Sequence, residues 1–318
     1  MRIVFMGTGD ICLPTLRWLL EQKGNHPVVG VYTQPDKPVG RKQILTAPEV
    51  KTLALAAGVP VFQPEILRKN EDALASLREL APDLIVVMAY GQLLPRTVID
   101  LPGIACVNLH ASLLPRHRGA SPIQAAIREG DSETGITLMH IAPKLDAGDV
   151  IFDESISIRS NDTGGTLHDR LAELGPMVIQ RGVEHFQNET ATSQPQEDAL
   201  ATHCGKLGRD DGFVDWTADA KEIERVIRAY DPWPGTHTTL ESDGRILKMK
   251  LFPPVTVGPD INSPPGSHIV ENGILSISCG TGSISLGGEV QLEGRKRMPT
   301  TELLRGFGIP DGTLFGNP

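Results

Sequence analysis

The sequence predicts an α/β fold, with a doubly wound, mostly parallel sheet in the N-terminal part and a small β-barrel in the C-terminal part. Short apolar strand segments alternate with helical segments through residue 110, as in sheets built from strand–helix–strand units. The run at residues 84–88 is apolar throughout, which is typical of a central parallel strand. After residue 230, short strand-like segments follow one another between glycines and prolines, which indicates a barrel.

The individual elements follow from local patterns. Strands are predicted where apolar residues run or alternate, and helices where they recur every three or four residues. In the first part these are strands at 2–6, 28–33, 61–62, 84–88, 104–107, 137–141 and 150–158, and helices through 13–20, 48–57, 74–80, 121–127 and 167–178. In the last part they are a helix at 223–230 and strands at 236–240, 246–252, 267–270, 274–278 and 283–291.

The composition sets limits on the class of protein. The 318 residues are 40% hydrophobic, so the chain can bury a substantial core. We expect two domains, 1–188 and 207–318, joined by a linker at 189–206 that is rich in Thr, Ser, Gln and Pro. The formal net charge of −9 argues against a general polyanion binder, so a nucleic-acid partner would need local positive patches.

The cysteines and the N-terminus indicate where the protein works. The four cysteines are far apart in the sequence and suggest neither a disulfide framework nor a metal-ligand spacing. The chain starts directly with an apolar strand, and no signal peptide, transit segment or membrane span is recognisable. We therefore expect a cytoplasmic protein without a structural metal ion and without a membrane partner.

A glycine pair after the first strand allows two interpretations. Gly7 and Gly9 resemble the start of a Rossmann dinucleotide-binding loop, but Cys12 stands where a third glycine would be needed. The pair therefore predicts a tight strand-to-helix turn, and a nicotinamide-dependent dehydrogenase is left as an alternative from this motif alone.

The strongest candidate for chemistry is the end of the strand near residue 107. Asn108 and His110 are two residues apart, so strand alternation lets both side chains face one cavity. A carboxamide can donate hydrogen bonds, and an imidazole can move a proton near neutral pH. No Ser or Cys nucleophile with suitable partners accompanies them, so attack of one substrate on a carbonyl of another is favoured. Asp146, in a turn-rich stretch, is the best carboxylate to orient the imidazole, whereas His117 is predicted to be a surface histidine.

Several separated motifs then resemble one family when taken in order. They are Gly7-Thr8, Thr33-Gln34-Pro35-Asp36, Ala89-Tyr90-Gly91, Asn108-Leu109-His110, Ser112-Leu113-Leu114-Pro115, Arg118-Gly119-Ala120-Ser121-Pro122, Leu145-Asp146-Ala147-Gly148-Asp149 and Asp231-Pro232-Trp233-Pro234. Together they resemble the folate-dependent formyltransferases, and within these the enzymes that act on methionyl-tRNA. The resemblance runs nearly from end to end.

The resemblance implies a reaction and roles for three residues. The formyl group of 10-formyltetrahydrofolate would pass to the amino group of initiator methionyl-tRNA, with neither a metal nor a covalent enzyme intermediate. Asn108 would donate to the oxyanion, and His110 would donate to it or relay the proton of the amine. Asp146 would orient His110 and favour its charged form through a water. No obligate protein partner is evident.

The resemblance also implies binding residues and an α/β architecture of a Rossmann-like sheet plus an OB-like β-barrel that binds tRNA. The residues assigned to folate are Ser112, Leu113, Leu114, Pro115, Tyr90, Gly91, Gln92, Leu93, Leu94 and Ile141. The residues assigned to tRNA are Arg41 and Lys42, in a long polar loop at 34–42, and Lys248, Arg295, Lys296 and Arg297 in the barrel.

Two further interpretations stay open beside the dehydrogenase. A formyltransferase that acts on a sugar amine or on glycinamide ribonucleotide could carry the same three residues, but the basic loop and the added barrel favour tRNA. A non-enzymatic tRNA-binding protein would have no evident reason to carry the Asn-His-Asp set.

Overall fold

The structure is a computed structural model that describes residues 1–22, 24–40, 42–188, 190, 192–242, 244–310 and 312–316. The chain forms two compact units. The first comprises Met1–Gly119, Thr134–Ile156 and His168–Cys204. The second comprises Ala120–Glu133, Ser157–Leu167 and Gly205–Pro318. The division into domains at residues 188 and 207 stays a prediction.

Strands and helices alternate in the first part of the chain, and short strands dominate the last part. The strands are β1 Ile3–Gly7, β2 Val28–Tyr32, β3 Lys37–Val39, β4 Ile44–Thr46, β5 Val61–Phe62, β6 Leu84–Met88, β7 Ala105–His110, β8 Arg118–Gly119, β9 Glu133–His140, β10 Val150–Ser157, β11 His203–Cys204, β12 Thr236–Ser242, β13 Arg245–Leu251, β14 Thr256–Gly258, β15 His268–Glu271, β16 Ile274–Ser278, β17 Ser283–Leu286, β18 Glu289–Leu292 and β19 Met298–Pro299. The helices are α1 Leu13–Glu21, α2 Glu49–Ala56, α3 Glu71–Glu79, α4 Arg96–Ile99, α5 Pro122–Glu129, α6 Gly164–Gln187, α7 Ala220–Ala229 and α8 Thr300–Gly306.

A large, mostly parallel sheet lies at the centre of the first unit. In the described part of the chain its strand order is β10-β9-β7-β6-β1-β2-β5. The pairs β1–β2, β2–β5, β1–β6 and β6–β7 are parallel, and β9 runs antiparallel to β7. β1 and β6 are buried at every position, which explains their continuous apolar sequences. The predicted mostly parallel α/β sheet is confirmed.

The strand order reverses beside β1. From β1 the chain first builds outward through β2 and β5, and then returns to place β6 and β7 on the other side. Such a reversal creates a crevice at the carboxyl ends of the strands, where ligands bind in open α/β sheets. The segments that follow β1, β6 and β7 therefore share one edge of the sheet.

A β-hairpin begins within the polar loop predicted at 34–42 and ends at Thr46, beyond that loop. β3 and β4 pair antiparallel, with Lys37 opposite Thr46 and Val39 opposite Ile44. All the residues of both strands are exposed, so neither strand shows the alternating apolar pattern by which a half-buried strand is recognised. Lys42 is exposed near the tip, and Arg41 lies outside the described residues.

The second unit is built mainly from antiparallel strands. One sheet has the order β12-β13-β18-β19 and another the order β14-β17-β16-β15. Both contribute to one apolar core, in which Leu240 and Met249 of the first sheet join Leu275 and Ile284 of the second. The strand predicted at 283–291 is instead two strands. They separate at Gly288, where a Cβ would lie 2.8 Å from the carbonyl oxygen of Pro254.

The described residues include no helix with the length and apolar character needed to cross a membrane. The four cysteines are buried, and none of them forms a disulfide bond within the described residues.

Candidate active site

β7 carries both Asn108 and His110 within the strand. The predicted strand ended at residue 107, whereas the observed one runs from Ala105 to His110, and Ile104 is 46% exposed before it. Asn108 pairs with Val87 on one side and Met139 on the other. Because the strand is regular here, the side chains of Asn108 and His110 project from the same face, as expected.

His110 is held by contacts at both ring nitrogens. Its side chain is buried, and its Nε2 atom lies 3.0 Å from the carbonyl oxygen of His117. A carbonyl oxygen can only accept, so Nε2 carries a hydrogen and donates it. The Nδ1 atom faces Oδ2 of Asp146 at 3.7 Å, which is too long for a direct hydrogen bond. Because Nε2 is bonded to the His117 carbonyl oxygen, Nδ1 is the ring nitrogen that can exchange a proton.

Asp146 is fixed by the backbone around it. Its φ is +49°, a left-handed conformation that Asp tolerates better than most residues. Its Oδ2 accepts a hydrogen bond of 2.8 Å from the backbone N–H of Gly119. Gly119 has a φ of +125°, and a Cβ there would lie 2.0 Å from the carbonyl oxygen of Cys204. Only glycine can therefore bring this N–H to the carboxylate.

Asn108 is the site residue whose side chain is available to a ligand. The side chain is half-buried, and none of the residues described by the structure forms a hydrogen bond with its carboxamide. In the described chain the polar atoms of this carboxamide are not fully buried, so they are accessible to solvent. It can donate two hydrogen bonds to a ligand without giving up a protein partner.

The turn at 112–115 is stabilised internally. The Ser112 hydroxyl donates to the carbonyl oxygen of Arg116 at 2.7 Å. The Thr137 hydroxyl donates to the carbonyl oxygen of Ser112 at 2.6 Å and accepts from the N–H of Leu114 at 3.1 Å. Ser112 and Leu114 are buried, whereas Leu113 and Pro115 are half-buried. The Ser112 hydroxyl is thus already used within the turn.

The segment at 90–94 presents backbone and one apolar side chain. Tyr90 is buried in the core beside β6, its hydroxyl has no partner within the described structure, and burial raises its pKa. Its carbonyl oxygen accepts from the Gln34 amide at 3.2 Å. Gly91 has a φ of +78°, and Leu93 is 63% exposed. Any contact of Tyr90 with a ligand would therefore be made by its backbone.

The other predicted folate residues support neighbouring segments. The Gln92 amide accepts from the N–H of Leu67 at 2.7 Å and donates to the carbonyl oxygen of Pro64 at 2.9 Å. Leu94 and Ile141 are partly buried and pack against the same core as Tyr90. These side chains shape the sheet edge, and the structure does not bring them into polar contact with Asn108, His110 or Asp146 among the described residues.

The predicted tRNA residues of the second unit differ in their surroundings. Lys248, Arg295 and Lys296 are exposed. Arg297 is paired with Glu289 at 2.7 Å, and its guanidinium lies 3.9 Å from the centre of the Phe252 ring. Its charge is thus partly neutralised, and it is the least available of these cations.

The interpretation of His117 as a surface residue is wrong. The side chain is 4% exposed, its carbonyl oxygen accepts from His110, and its N–H donates to the Thr202 hydroxyl at 2.8 Å. Sequence reasoning also gave no role to Arg118 beyond the family motif, although its side chain is only 1% exposed. Gln196, which contacts Arg118, was placed in a polar linker, and no local pattern distinguishes it there.

Among the residues with a described structure, no group of three or more His, Cys, Asp or Glu side chains is placed to hold a metal ion.

Comparisons with known proteins identify the family. A family model described as Formyl transferase matches residues 1–183, and one described as Formyl transferase, C-terminal domain, matches residues 206–308. The methionyl-tRNA formyltransferase of Akkermansia muciniphila is 52% identical over 309 residues, which cover 96% of each chain.

Two solved structures show a similar fold. The methionyl-tRNA formyltransferase from Clostridium thermocellum has a TM-score of 0.55 at 14% identity, with 92% of this chain and 98% of that chain covered. HypX from Aquifex aeolicus, solved in complex with tetrahydrofolic acid, has a TM-score of 0.59 at 18% identity. That match covers 98% of this chain but 48% of HypX, so this chain spans about half its length. On the family models and the high sequence identity, the chain belongs to the formyltransferase family, among the methionyl-tRNA formyltransferases.

Proposed function

We propose that this chain transfers the formyl group of 10-formyltetrahydrofolate to the amino group of initiator methionyl-tRNA, which gives N-formylmethionyl-tRNA for translation initiation. The name of the 52%-identical relative supports methionyl-tRNA as the acceptor. The tetrahydrofolic acid in the HypX complex supports a folate as the donor. Because the acceptor is made where translation takes place, we place the reaction in the cytoplasm. We assign the reaction no metal ion and no membrane partner.

One observation carries the proposal. A buried imidazole is held between the His117 carbonyl and the Asp146 carboxylate. The Asn108 carboxamide, which has no hydrogen-bond partner among the described residues, projects from the same strand face. This set contains a hydrogen-bond donor, a proton carrier and a charge-balancing group. These are the groups required for attack of an amine on a formyl carbon.

Each of the three residues has a defined task. When bound, the donor supplies the formyl carbon and a leaving nitrogen, and a carbon–nitrogen bond to the amine forms as the bond to the donor breaks. Asn108 donates to the formyl oxygen as negative charge develops on it. Nδ1 of His110 takes the proton that the amine loses and returns it to the leaving nitrogen, while Nε2 stays bonded to His117. The Asp146 carboxylate at 3.7 Å balances the imidazolium charge.

The residues at the sheet edge fit a flat, partly apolar donor. Residues 89–94 follow β6, which is the parallel neighbour of β7, so they lie at the same edge as His110. Leu93 is 63% exposed, an apolar side chain left open for a ligand ring. Gly91, with a φ of +78°, presents a backbone without a side chain. We assign the pterin ring to this segment.

The acceptor would be bound by separate cationic surfaces, one in each unit. In the first unit the exposed hairpin of β3 and β4 carries Lys42 near its tip. In the second unit Lys248 lies on an exposed position of β13, and Arg295 and Lys296 follow β18. We infer that the two antiparallel sheets, which share one core, form an OB-like barrel that presents these cations to tRNA phosphates.

The test compares possible acceptors. Purified protein and 10-formyltetrahydrofolate are incubated with charged initiator methionyl-tRNA, with glycinamide ribonucleotide or with a nucleotide-linked amino sugar. The proposal predicts formylation of methionyl-tRNA and background rates with the other two. Preferential formylation of either small acceptor would replace this function by the alternative formyltransferase activity.

A further inference from the structure

We propose that residues 194–204, which we call the strap, position His110 and Asp146, and that Gln196 is the positioning residue of Asp146. This inference rests on the proposed function for its kinetic readout. The strap follows α6 in the sequence, and none of the motifs on which the site was assigned lies in it.

The strap is fastened to the first unit at both ends. Near its start, Gln194 and Val150 exchange two backbone hydrogen bonds of 2.8 Å each. Near its end, β11 pairs in parallel with β8, and the N–H of Arg118 donates to the carbonyl oxygen of Thr202 at 2.9 Å. A segment held in this way has a defined position relative to the residues beneath it.

Gln196 uses its whole amide group between these ends. Its Nε2 donates to the carbonyl oxygens of Asp146, at 2.9 Å, and Gly148, at 2.7 Å. Its Oε1 accepts from Nε and Nη2 of Arg118, at 3.0 and 2.8 Å. A guanidinium can only donate and a carbonyl can only accept, so the orientation of the amide is determined by its partners. Gln196 therefore joins the Asp146 turn to β8.

Arg118, which donates to Gln196, is itself held by a second residue of the strap. The Arg118 side chain is buried, and its Nη1 donates to Oδ1 of Asp198 at 2.7 Å. Lys144, in the same turn as Asp146, donates to the other oxygen of Asp198 at 2.8 Å. Hydrogen bonds from Lys144 and Arg118 lower the pKa of Asp198 to about 2. Asp198 thus ties the turn to β8 a second time.

The strap also supports His110, through the residue before Arg118. The Thr202 hydroxyl accepts from the N–H of His117, and Sγ of Cys204 lies 3.4 Å from the His117 carbonyl oxygen. That carbonyl is the acceptor for Nε2 of His110. Gly119, two residues after His117, donates its N–H to the Asp146 carboxylate. One short segment therefore determines where both His110 and Asp146 lie.

Gln196 matters because the Asp146 backbone needs support. A φ of +49° is uncommon for a residue other than glycine, and surrounding contacts must maintain it. Without the Gln196 donors, two carbonyls of the turn lose their side-chain partner and the carboxylate is free to move away from Nδ1. A displacement of about 1 Å at such a group can lower a rate about 100-fold.

The experiment uses two substitutions and an adjacent control. Gln196→Met removes the hydrogen bonds that the amide forms with Arg118, Asp146 and Gly148. Gln196→Glu keeps an acceptor for Arg118 but has no donor for the two carbonyls. Glu197→Met places the same new side chain at an exposed position next in sequence. Turnover and KM for both substrates are measured as a function of pH, with melting temperatures recorded to choose a temperature at which every variant is folded.

We expect kcat to fall about 10- to 100-fold in both Gln196 variants, with KM for folate and methionyl-tRNA within about twofold of wild type. The pH dependence of kcat should also change, because the carboxylate facing His110 has moved. Glu197→Met should retain the wild-type profile. Wild-type kcat and pH dependence in Gln196→Glu would overturn the proposal, and that variant decides the matter if Gln196→Met does not fold.

A substrate-free measurement separates this inference from the proposed function. In ¹⁵N-labelled protein, Gln196→Glu should shift the imidazole nitrogen resonances of His110, and Glu197→Met should leave them in place. Unchanged His110 resonances in Gln196→Glu would overturn the role of the strap. If wild-type protein does not formylate methionyl-tRNA while these resonances shift, the function is wrong and the positioning role stands.

Discussion

The Nδ1 atom of His110 lies 3.7 Å from Oδ2 of Asp146, whereas its Nε2 atom donates to the carbonyl oxygen of His117 at 3.0 Å. One ring nitrogen is therefore committed to the backbone, and the other faces a carboxylate without a direct hydrogen bond. This asymmetry assigns the proton transfer to Nδ1 and gives Asp146 an electrostatic task.

Asp146→Asn should lower kcat by about 10²–10⁴-fold, the range for loss of an assisted proton transfer, while folate affinity is retained. The asparagine oxygen can still accept from the Gly119 N–H, so the turn keeps its main contact and only the charge is lost. Steady-state kinetics and equilibrium folate binding check this. Asp149→Asn removes the same charge from an exposed position of the same turn and serves as the control. Equal kcat values for Asp146→Asn and wild type would exclude the electrostatic task.

Gly119→Ala should both destabilise the protein and reduce activity. The new methyl group would lie 2.0 Å from the Cys204 carbonyl oxygen, at a φ of +125°, so β8 must move and carry its N–H away from Asp146. Backbone strain of this kind costs about 1–3 kcal/mol in the free energy of unfolding. Urea denaturation measures it.

Gly58→Ala is the control for Gly119→Ala, because it measures the cost of a side chain at a positive φ without a steric clash. Gly58 has a φ of +75°, and apart from its two chain neighbours no other residue described by the structure has a heavy atom within 4 Å of the Cβ position. We expect a larger loss of stability for Gly119→Ala than for Gly58→Ala, and a loss of kcat in the first alone.

His140 should make stability depend on pH. Burial lowers the pKa of its imidazole below the usual 6.5, and the Asp149 carboxylate opposes part of this shift. As the pH falls through 6.5, the unfolded chain takes up a proton that the folded chain resists, so the free energy of unfolding decreases. His140→Gln should flatten this decrease between about pH 7 and pH 5. Urea denaturation across that range tests it, with exposed His203→Gln as the control; identical slopes in wild type and His140→Gln would contradict it.

Lys42→Ala should weaken the binding of initiator methionyl-tRNA and make it less sensitive to salt. If Lys42 contacts a phosphate, its removal should reduce the slope of log K against log salt by about one. Filter binding over a range of salt concentrations measures the slope. Lys69→Ala removes an exposed lysine of the same unit that has no assigned role in tRNA binding. If both variants keep the wild-type slope, the hairpin has no phosphate contact through Lys42.

The central sheet could be predicted because burial on both faces imposes a simple sequence pattern. β1 and β6 are buried at every position, so their sequences are apolar throughout. The hairpin of β3 and β4 escaped prediction for the opposite reason, since it is exposed at every position and nothing selects an alternating pattern. Local patterns report burial, and the hairpin has none.

The site was predictable only as far as it is local. Asn108 and His110 lie on one strand face, a relationship that alternation gives directly. His117 was misinterpreted because its neighbours are two arginines, whereas its burial comes from residues about 85 positions later, through Thr202. Gln196 lies in a polar stretch, and its hydrogen bonds to Arg118, Asp146 and Gly148 join chain segments that only the fold brings together.

The central claim is tested most directly by single-turnover formyl transfer to initiator methionyl-tRNA with the Asn108→Ala variant. Enzyme in excess with bound 10-formyltetrahydrofolate is mixed with charged tRNA, and exposed Asn188→Ala is the control. We expect a rate about 10²–10³-fold below that of wild type with folate binding retained, because the oxyanion loses its donor. A single-turnover rate equal to that of wild type would contradict the assignment of Asn108 and the mechanism built on it.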